Sequence, residues 1–97
     1  MTATVPEPLH VITTTRYDKD AKRVRKRGHD MARLLEVVDL LRQRRALAVR
    51  HRDHGLSGDS RGWRDCHIEP DWLLIYRVDE EAGALILGRT GSHSDLF

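Results

Sequence analysis

The sequence predicts a single α+β domain in which two antiparallel N-terminal helices pack on a mainly antiparallel β-sheet. The length of 97 residues suits one small domain with one hydrophobic core. Apolar residues recur at helical spacing in the first half of the chain, whereas the second half holds short aliphatic runs separated by turn residues. These patterns predict the element order β-α-α-β-β-β.

The first elements follow a segment that has no periodic pattern. Residues 1–8 are expected to form a flexible N-terminal tail, so that the folded domain spans residues 9–97. Residues 9–14 are rich in β-branched side chains, which favour a first strand. A charged helix is expected to begin near Arg16 and to end at Gly28, since glycine readily adopts the left-handed conformation found at helix C-termini.

A second helix is predicted after Asp30, which suits an N-cap, and should end near Arg44 or Arg45. Its apolar stripe is expected to pack in the core and consists of Met31, Leu34, Leu35, Val38 and Leu41. Residues 46–62 lose this periodicity and contain three glycines. A polar loop of this length in a compact domain is often functional.

The remaining residues predict three strands joined by tight turns. Residues 63–68 and 72–78 form two strands on either side of a turn at Pro70 and Asp71. Residues 79–83 form a hairpin loop, and residues 84–90 form the return strand. The near-continuous apolar run at 72–78 is typical of a central strand that is covered on at least one face.

Composition narrows the functional classes. The single cysteine, Cys66, excludes an internal disulfide and disfavours a cysteine-based metal site. No apolar run approaches the roughly 18 residues of a membrane helix, and residues 1–6 lack the pattern of a signal peptide. We therefore expect a cytoplasmic protein that does not contact membranes.

The charges are unevenly distributed. Residues 1–54 contain 13 Lys and Arg against 7 Asp and Glu, whereas residues 55–97 contain 4 against 8. This asymmetry favours a polyanionic or acidic partner for the basic half, although a solvated helix surface would give the same pattern.

Three histidines stand in settings that suit a functional site. His54 lies on the glycine-rich loop, His67 lies near a strand end, and His93 follows Arg89 close to the C-terminus. The two-residue period of a strand places His67 on a polar face, opposite the face of Cys66. The three other histidines, His10, His29 and His51, are expected to be surface residues.

These residue types allow two kinds of chemistry. Three histidines and Asp71 could ligate zinc, but no pair has the short spacing that marks a zinc site. The alternative is metal-free acid–base catalysis, because imidazoles titrate near neutrality and can both accept and donate protons. An arginine such as Arg89 would then stabilise charge that develops on a phosphate oxygen.

Three segments carry a family resemblance. Residues 64–76 read RDCHIEPDWLLIY, residues 89–97 read RTGSHSDLF, and residues 53–58 read DHGLSG. Together they resemble the YafQ branch of the RelE/ParE toxins over about residues 10–97. This resemblance implies a RelE-like fold and a role as the toxin of a bacterial type II toxin–antitoxin pair. The expected activity is that of an endoribonuclease that cuts mRNA in the ribosomal A site, and no metal or other cofactor is expected.

The resemblance also implies site residues. The family's catalytic positions correspond to His54, His67, Asp71, Arg89 and His93. His93 would protonate the leaving 5′-oxygen, and either an imidazole or Asp71 would take the proton of the ribose 2′-OH. Two aromatic residues, Trp72 and Phe97, would stack against bases of the single-stranded codon.

The basic first helix gains a role from the same resemblance. The side chains expected to face ribosomal RNA are Lys19, Lys22, Arg23, Arg25, Lys26 and Arg27. The implied partners are the 70S ribosome with its mRNA and a cognate ribbon-helix-helix antitoxin of the DinJ or RelB type, through which operator DNA would be bound indirectly. Two alternatives remain open: a non-catalytic ParE-like toxin that binds gyrase, and an RNA-binding module with incidental histidines.

Overall fold

The computed structural model describes residues 7–97, which form one five-stranded sheet, two long helices and a short C-terminal helix. The helices and strands are β1 (His10–Thr13), α1 (Thr15–Lys26), α2 (Met31–Arg42), β2 (His54–Gly55), β3 (Arg64–Glu69), β4 (Trp72–Asp79), β5 (Ala84–Gly91) and α3 (His93–Leu96). Most of the predicted tail, residues 1–6, lies outside the described residues. No helix within residues 7–97 is long and apolar enough to span a membrane.

The sheet has the strand order β1-β5-β4-β3-β2. Only β1 and β5 run parallel; the three other pairs are antiparallel, so the predicted mainly antiparallel sheet is confirmed. The register between β4 and β5 shifts after Ile75, which leaves Gly88 as an extra residue on β5. A Cβ atom at Gly88 would lie 2.6 Å from the indole of Trp63. The absence of a side chain at this bulge therefore lets the Trp63 ring pack directly on the backbone of β5.

The two long helices begin where the sequence predicted. Thr14 caps α1 by accepting a hydrogen bond from the Tyr17 amide, and Asp30 caps α2 in the same way with Ala32. Gly28, with a φ of +87°, ends α1.

The predicted apolar stripe of α2 needs two corrections. Leu35 is 63% exposed, whereas Val37, which was not in the stripe, is buried. The buried set of α2 is therefore Leu34, Val37, Val38 and Leu41, a narrower arc that faces the sheet. The helix ends at Arg42 rather than at residue 44 or 45, because Arg44 adopts a positive φ of 62°.

The core lies between this pair of helices and one face of the sheet. It consists of Leu9, Tyr17, Val24, Leu34, Val37, Val38, Leu41, Cys66, Ile68, Trp72, Leu74, Tyr76, Leu85 and Leu87. Cys66 is fully buried within it, and this burial raises the pKa of the thiol, so a packing role rather than a reactive one follows.

The predicted loop at residues 46–62 is more ordered than its sequence suggested. It contains two single turns of 3₁₀ helix, Val49–His51 and Gly58–Ser60, and the two-residue strand β2. Asp53 anchors the segment, because it accepts hydrogen bonds from the Tyr76 hydroxyl at 2.6 Å and from Arg64 Nε at 3.2 Å.

Candidate active site

The turn between β3 and β4 holds the side chain of His93. Asp71 Oδ1, in this turn, accepts a hydrogen bond from the His93 backbone N–H at 3.0 Å and lies 2.8 Å from the ring Nδ1. A carboxylate only accepts hydrogen bonds, so Nδ1 carries the proton and Nε2 stays free of this contact. The hydrogen bonds from the backbone and ring of His93 lower the pKa of Asp71. Asp71 therefore orients His93 as an ionised carboxylate.

His67 lies beside His93. Its Nδ1 is 3.2 Å from the carbonyl oxygen of Pro70, to which it must donate, so its Nε2 is also left as the available ring nitrogen. The two ring centroids are 5.6 Å apart and the ring planes are inclined by 61°. The structure thus brings together two imidazoles from distant parts of the chain, each oriented through Nδ1.

His54 reaches the same region from β2. It pairs directly with Asp65 across the two strands, and its Nδ1 lies 2.7 Å from the carbonyl oxygen of Arg52. Its Nε2 is 3.9 Å from Asp65 Oδ2. The position of His54 depends on the short strand β2, which the sequence analysis did not predict.

Asp65 is a candidate functional residue that the sequence analysis missed. Its side chain is buried, and Oδ1 has no hydrogen-bond partner within the described part of the chain. Burial raises the pKa of Asp65, and positive charge on His54 or His67 opposes that effect. The two-residue period of β3 puts Asp65 on the same face as His67, and this periodicity was the available signal.

Arg89 is anchored to the first helix. Its Nε and Nη2 donate to the two carboxylate oxygens of Asp20 at 2.7 and 3.3 Å, and this pairing raises the pKa of the guanidinium. Asp20 is only 2% exposed and also accepts from the backbone N–H of Thr90 at 3.3 Å. The Nη1 of Arg89 makes no hydrogen bond within residues 7–97 and remains available to a further acceptor.

The C-terminal residues form α3, a single helical turn that the sequence analysis did not predict. Ser92 caps it through a reciprocal capping box with Asp95. Phe97, directly after the helix, is 68% exposed, as a base-stacking side chain requires.

The expectation that Trp72 stacks on RNA is wrong for this structure. Trp72 is 0% exposed, and its indole N–H donates to Thr90 Oγ1 at 2.9 Å. A fully buried ring has no face left for a base, so Trp72 joins β4 to β5 within the core. The ring of His29 packs over it with centroids 4.5 Å apart.

Two histidines that were expected at the surface are partly or fully enclosed. His29 is half-buried by its contact with Trp72, and His51 is only 7% exposed. His51 Nδ1 lies 2.6 Å from the carbonyl oxygen of His67 and therefore supports the strand end that carries that histidine. Neither position carries a local sequence pattern that distinguishes it from an exposed histidine.

The basic side chains of α1 divide into two groups. Four of the six expected RNA contacts make no ion pair within residues 7–97; these are Lys19, Lys22, Arg25 and Lys26. Arg23 lies 3.5 Å from Asp20, and Arg27 binds Asp95, so both of these are at least partly occupied within the chain.

A groove of about 650 Å³ adjoins this histidine cluster. Residues of α2, residues 48–52 and the segment from His67 to Pro70 line it. Three arginines and two glutamates line it: Arg33, Arg50, Arg52, Glu36 and Glu69.

The donor atoms do not form a metal site. No group of three or more His, Cys, Asp and Glu within the described residues is arranged to hold a metal ion. The Nδ1 atoms of His54, His67 and His93 are already hydrogen-bonded, which leaves one ring nitrogen on each.

The sequence of the whole folded domain matches known toxins. Residues 9–97 match the family described as the bacterial toxin of type II toxin–antitoxin system, YafQ. The chain is 42% identical over 82 residues to the mRNA interferase toxin YafQ of Escherichia coli K12, a match that covers 84% of this chain and 87% of the relative.

Solved structures agree with this assignment. A metal-bound toxin from Helicobacter pylori superposes with a TM-score of 0.87 at 40% identity, covering 92% of this chain and 99% of that one. YafQ in the E. coli DinJ–YafQ toxin–antitoxin complex superposes with a TM-score of 0.84 at 37% identity, covering 93% and 98%. Family, sequence and fold therefore lead to one conclusion: this chain belongs to the YafQ family of toxins of bacterial type II toxin–antitoxin systems.

Proposed function

We propose that this toxin is a metal-independent endoribonuclease that cleaves mRNA in the A site of the ribosome. The observation that supports the proposal most directly is the Asp71–His93–His67 arrangement, in which two imidazoles 5.6 Å apart are each oriented through Nδ1. An acid and a base on either side of one phosphate are what cleavage through the ribose 2′-OH requires. A relative from E. coli carries the name mRNA interferase.

In the proposed reaction, His67 Nε2 takes the proton of the 2′-OH while the 2′-oxygen attacks phosphorus. The bond from phosphorus to the 5′-oxygen breaks, and protonated His93 donates its Nε2 proton to that oxygen. The products are a 2′,3′-cyclic phosphate and a 5′-hydroxyl. Asp71 is a poor candidate for the base, because its lowered pKa means a weak affinity for a proton and its Oδ1 already accepts two hydrogen bonds from His93.

Other residues would hold the substrate. The free Nη1 of Arg89 would contact the scissile phosphate, and exposed Phe97 would stack on a base. The exposed ring of His54 lies at the edge of the same cluster and would contact the RNA from the side of β2. The unpaired lysines and Arg25 on α1 would bind ribosomal RNA.

The proposed partner is a cognate antitoxin. A relative from E. coli was crystallised with the antitoxin DinJ, and it shares 37% of its sequence with this chain. By that likeness, a ribbon-helix-helix antitoxin would bind this toxin and connect it indirectly to operator DNA. Action on ribosomes would place the free toxin in the bacterial cytoplasm.

The replacement His93→Gln tests the proposal. We expect codon-phased cuts in mRNA on programmed ribosomes to disappear, since glutamine cannot supply a proton, while the circular dichroism spectrum and Tm stay close to those of the wild type. The matched control is His10→Gln, an exposed histidine on β1 outside the site, which should leave cleavage unchanged. Full cleavage by His93→Gln would refute the acid–base assignment.

Metal independence needs its own test, because ribosomes themselves require magnesium. An mRNA with a phosphorothioate at the scissile position should be cut more slowly, and added Mn²⁺ or Cd²⁺ should not restore the rate. A restored rate would show that a metal contacts the phosphate. The H. pylori relative, described as metal-bound, makes this test necessary.

A further inference from the structure

We propose that Arg27 and Asp95 form a clasp that positions His93 for catalysis, rather than a site for ribosomal RNA. This ion pair joins the C-terminal end of α1 to α3, the helical turn that carries His93. It rests on the proposed nuclease activity for its catalytic consequence only; the clasp itself can be tested without any cleavage assay.

The ion pair has the geometry of a specific contact. Arg27 donates from Nη1 to Asp95 Oδ2 at 2.6 Å and from Nη2 to Oδ1 at 3.1 Å, a bidentate arrangement. The Asp95 side chain is only 13% exposed and also accepts from the Ser92 backbone N–H at 2.9 Å. These contacts, led by the one from Arg27, hold the pKa of Asp95 far below its usual range.

The backbone around Asp95 is shaped to receive this carboxylate. A Cβ atom at position 91 would lie 2.8 Å from Asp95 Oδ2 and 3.0 Å from its Cβ, so only glycine lets the carboxylate sit so close to the end of β5. The carboxylate therefore packs on the strand, caps α3 and binds α1 at once.

The other half of the clasp is also fixed. Arg27 directly follows α1, and α1 is anchored to β5 by the buried pair of Asp20 and Arg89. The guanidinium of Arg27 is consequently presented from a fixed helix end. By contrast, α3 has four residues, too few for a helix to persist by itself in water.

The catalytic ring depends on α3. His93 is the first residue of that turn, and its backbone carbonyl accepts from the Phe97 amide at 2.8 Å. Asp71 holds the ring from one side, and the clasp holds its backbone from the other. Without the clasp, α3 would fray, and both His93 and Phe97 would lose their fixed positions.

The test compares Arg27→Gln with Arg25→Gln, which removes the same charge from the neighbouring exposed turn of α1. In steady-state cleavage of mRNA on programmed ribosomes we expect Arg27→Gln to lower kcat about tenfold, since a displacement of about 1 Å at a reacting group can cost up to about a hundredfold in rate. Arg25→Gln should instead raise KM with kcat retained, as the loss of an electrostatic contact to RNA would. Asp95→Asn should lower kcat at least as much as Arg27→Gln, because it also weakens the hydrogen bond from the Ser92 backbone N–H, and the double variant should be no slower than Asp95→Asn alone.

A second measurement does not depend on cleavage. Amide hydrogen exchange at Leu96 and Phe97 should accelerate in Arg27→Gln and stay unchanged in Arg25→Gln. Unchanged exchange in Arg27→Gln would overturn the clasp, and faster exchange with full kcat would overturn its positioning role. If the wild-type protein cleaves no RNA while exchange still accelerates, the proposed function fails and the clasp stands.

Discussion

At the scale of single residues, the histidines of the cluster share one hydrogen-bonding pattern. Four rings have Nδ1 within hydrogen-bond distance of a fixed oxygen: a backbone carbonyl for His51, His54 and His67, and the Asp71 carboxylate for His93. None of these oxygens can donate a proton, so each neutral ring is the tautomer that carries its proton on Nδ1. On His54, His67 and His93 the fold thus leaves Nε2 as the available ring nitrogen, whereas the ring of His51 is buried.

A prediction at this scale concerns Asp65, whose burial raises its pKa. The folded state therefore disfavours the ionised carboxylate. This lowers the free energy of unfolding, and the loss is absent at low pH and develops as the pH rises above 3.8, the ordinary pKa of an aspartate. Asp65→Asn should increase the free energy of unfolding by about 1 kcal/mol at pH 8, because asparagine carries no charge to bury.

The increase in the free energy of unfolding caused by Asp65→Asn should be smaller at pH 5, because positive charge on His54 and His67 favours the ionised form of Asp65. Urea denaturation at the two pH values measures the difference, with Asp59→Asn, an exposed aspartate in the loop, as the control. An equal or larger gain at pH 5 would contradict this electrostatic account.

At the scale of elements, the site depends on contacts between α1, β5 and α3. The carboxylate of Asp20 turns inward from α1 and is met by the guanidinium of Arg89 and the amide of Thr90, both on β5. A buried carboxylate is stable only when it is paired and hydrogen-bonded. This pair fixes the helix that Arg27 follows and orients the arginine proposed to contact the phosphate.

Asp20→Asn should destabilise the fold by about 3–5 kcal/mol, because it leaves Arg89 without its charged partner in a largely buried position. Asp18→Asn, an exposed aspartate two residues away on α1, should cost less than about 1 kcal/mol. Urea denaturation followed by circular dichroism gives both values. Equal costs for the two variants would mean that the pair with Arg89 contributes little.

At the scale of the whole molecule, the site is assembled from three regions: the 53–58 loop, the turn between β3 and β4, and the C-terminus. The antiparallel sheet brings them together, since β3 and β5 both flank β4 and β2 adds to the free edge of β3. The basic helix α1 packs against β5, the strand that carries Arg89.

The rate of cleavage should therefore follow a bell with its maximum near neutral pH, because one imidazole must be neutral and the other protonated. Because the pKa of Asp71 is lowered, this group stabilises the folded state at pH values above 3.8, the ordinary pKa of an aspartate. That stabilisation is lost only as the pH falls below 3.8. Protonation of Asp71 cannot explain the acid limb.

This pH profile is measured on programmed ribosomes from pH 5 to 9, with ribosome integrity checked at each pH. Asp71→Asn should lower the maximal rate without removing the acid limb, since His67 remains as the base. A flat profile in the wild-type protein would contradict histidine catalysis.

The sequence by itself determined the long helices, the three antiparallel strands and the polar residues of the turn that follows β3. These features are local: helical spacing on α2, alternation on β3 and turn chemistry at Pro70 and Asp71 depend on neighbouring residues only. His93 was predicted as a site residue from its position after Arg89 and from the family resemblance, since no periodicity marked it.

Tertiary structure decided which of these side chains are available. Trp72 and His51 are enclosed, Arg27 is bound by Asp95, and Asp65 is buried beside two imidazoles. Each outcome depends on contacts between residues far apart in the chain, 68 positions in the case of Arg27 and Asp95. Such contacts form only when the sheet closes, because burial and charge pairing are properties of the packed elements and not of local sequence.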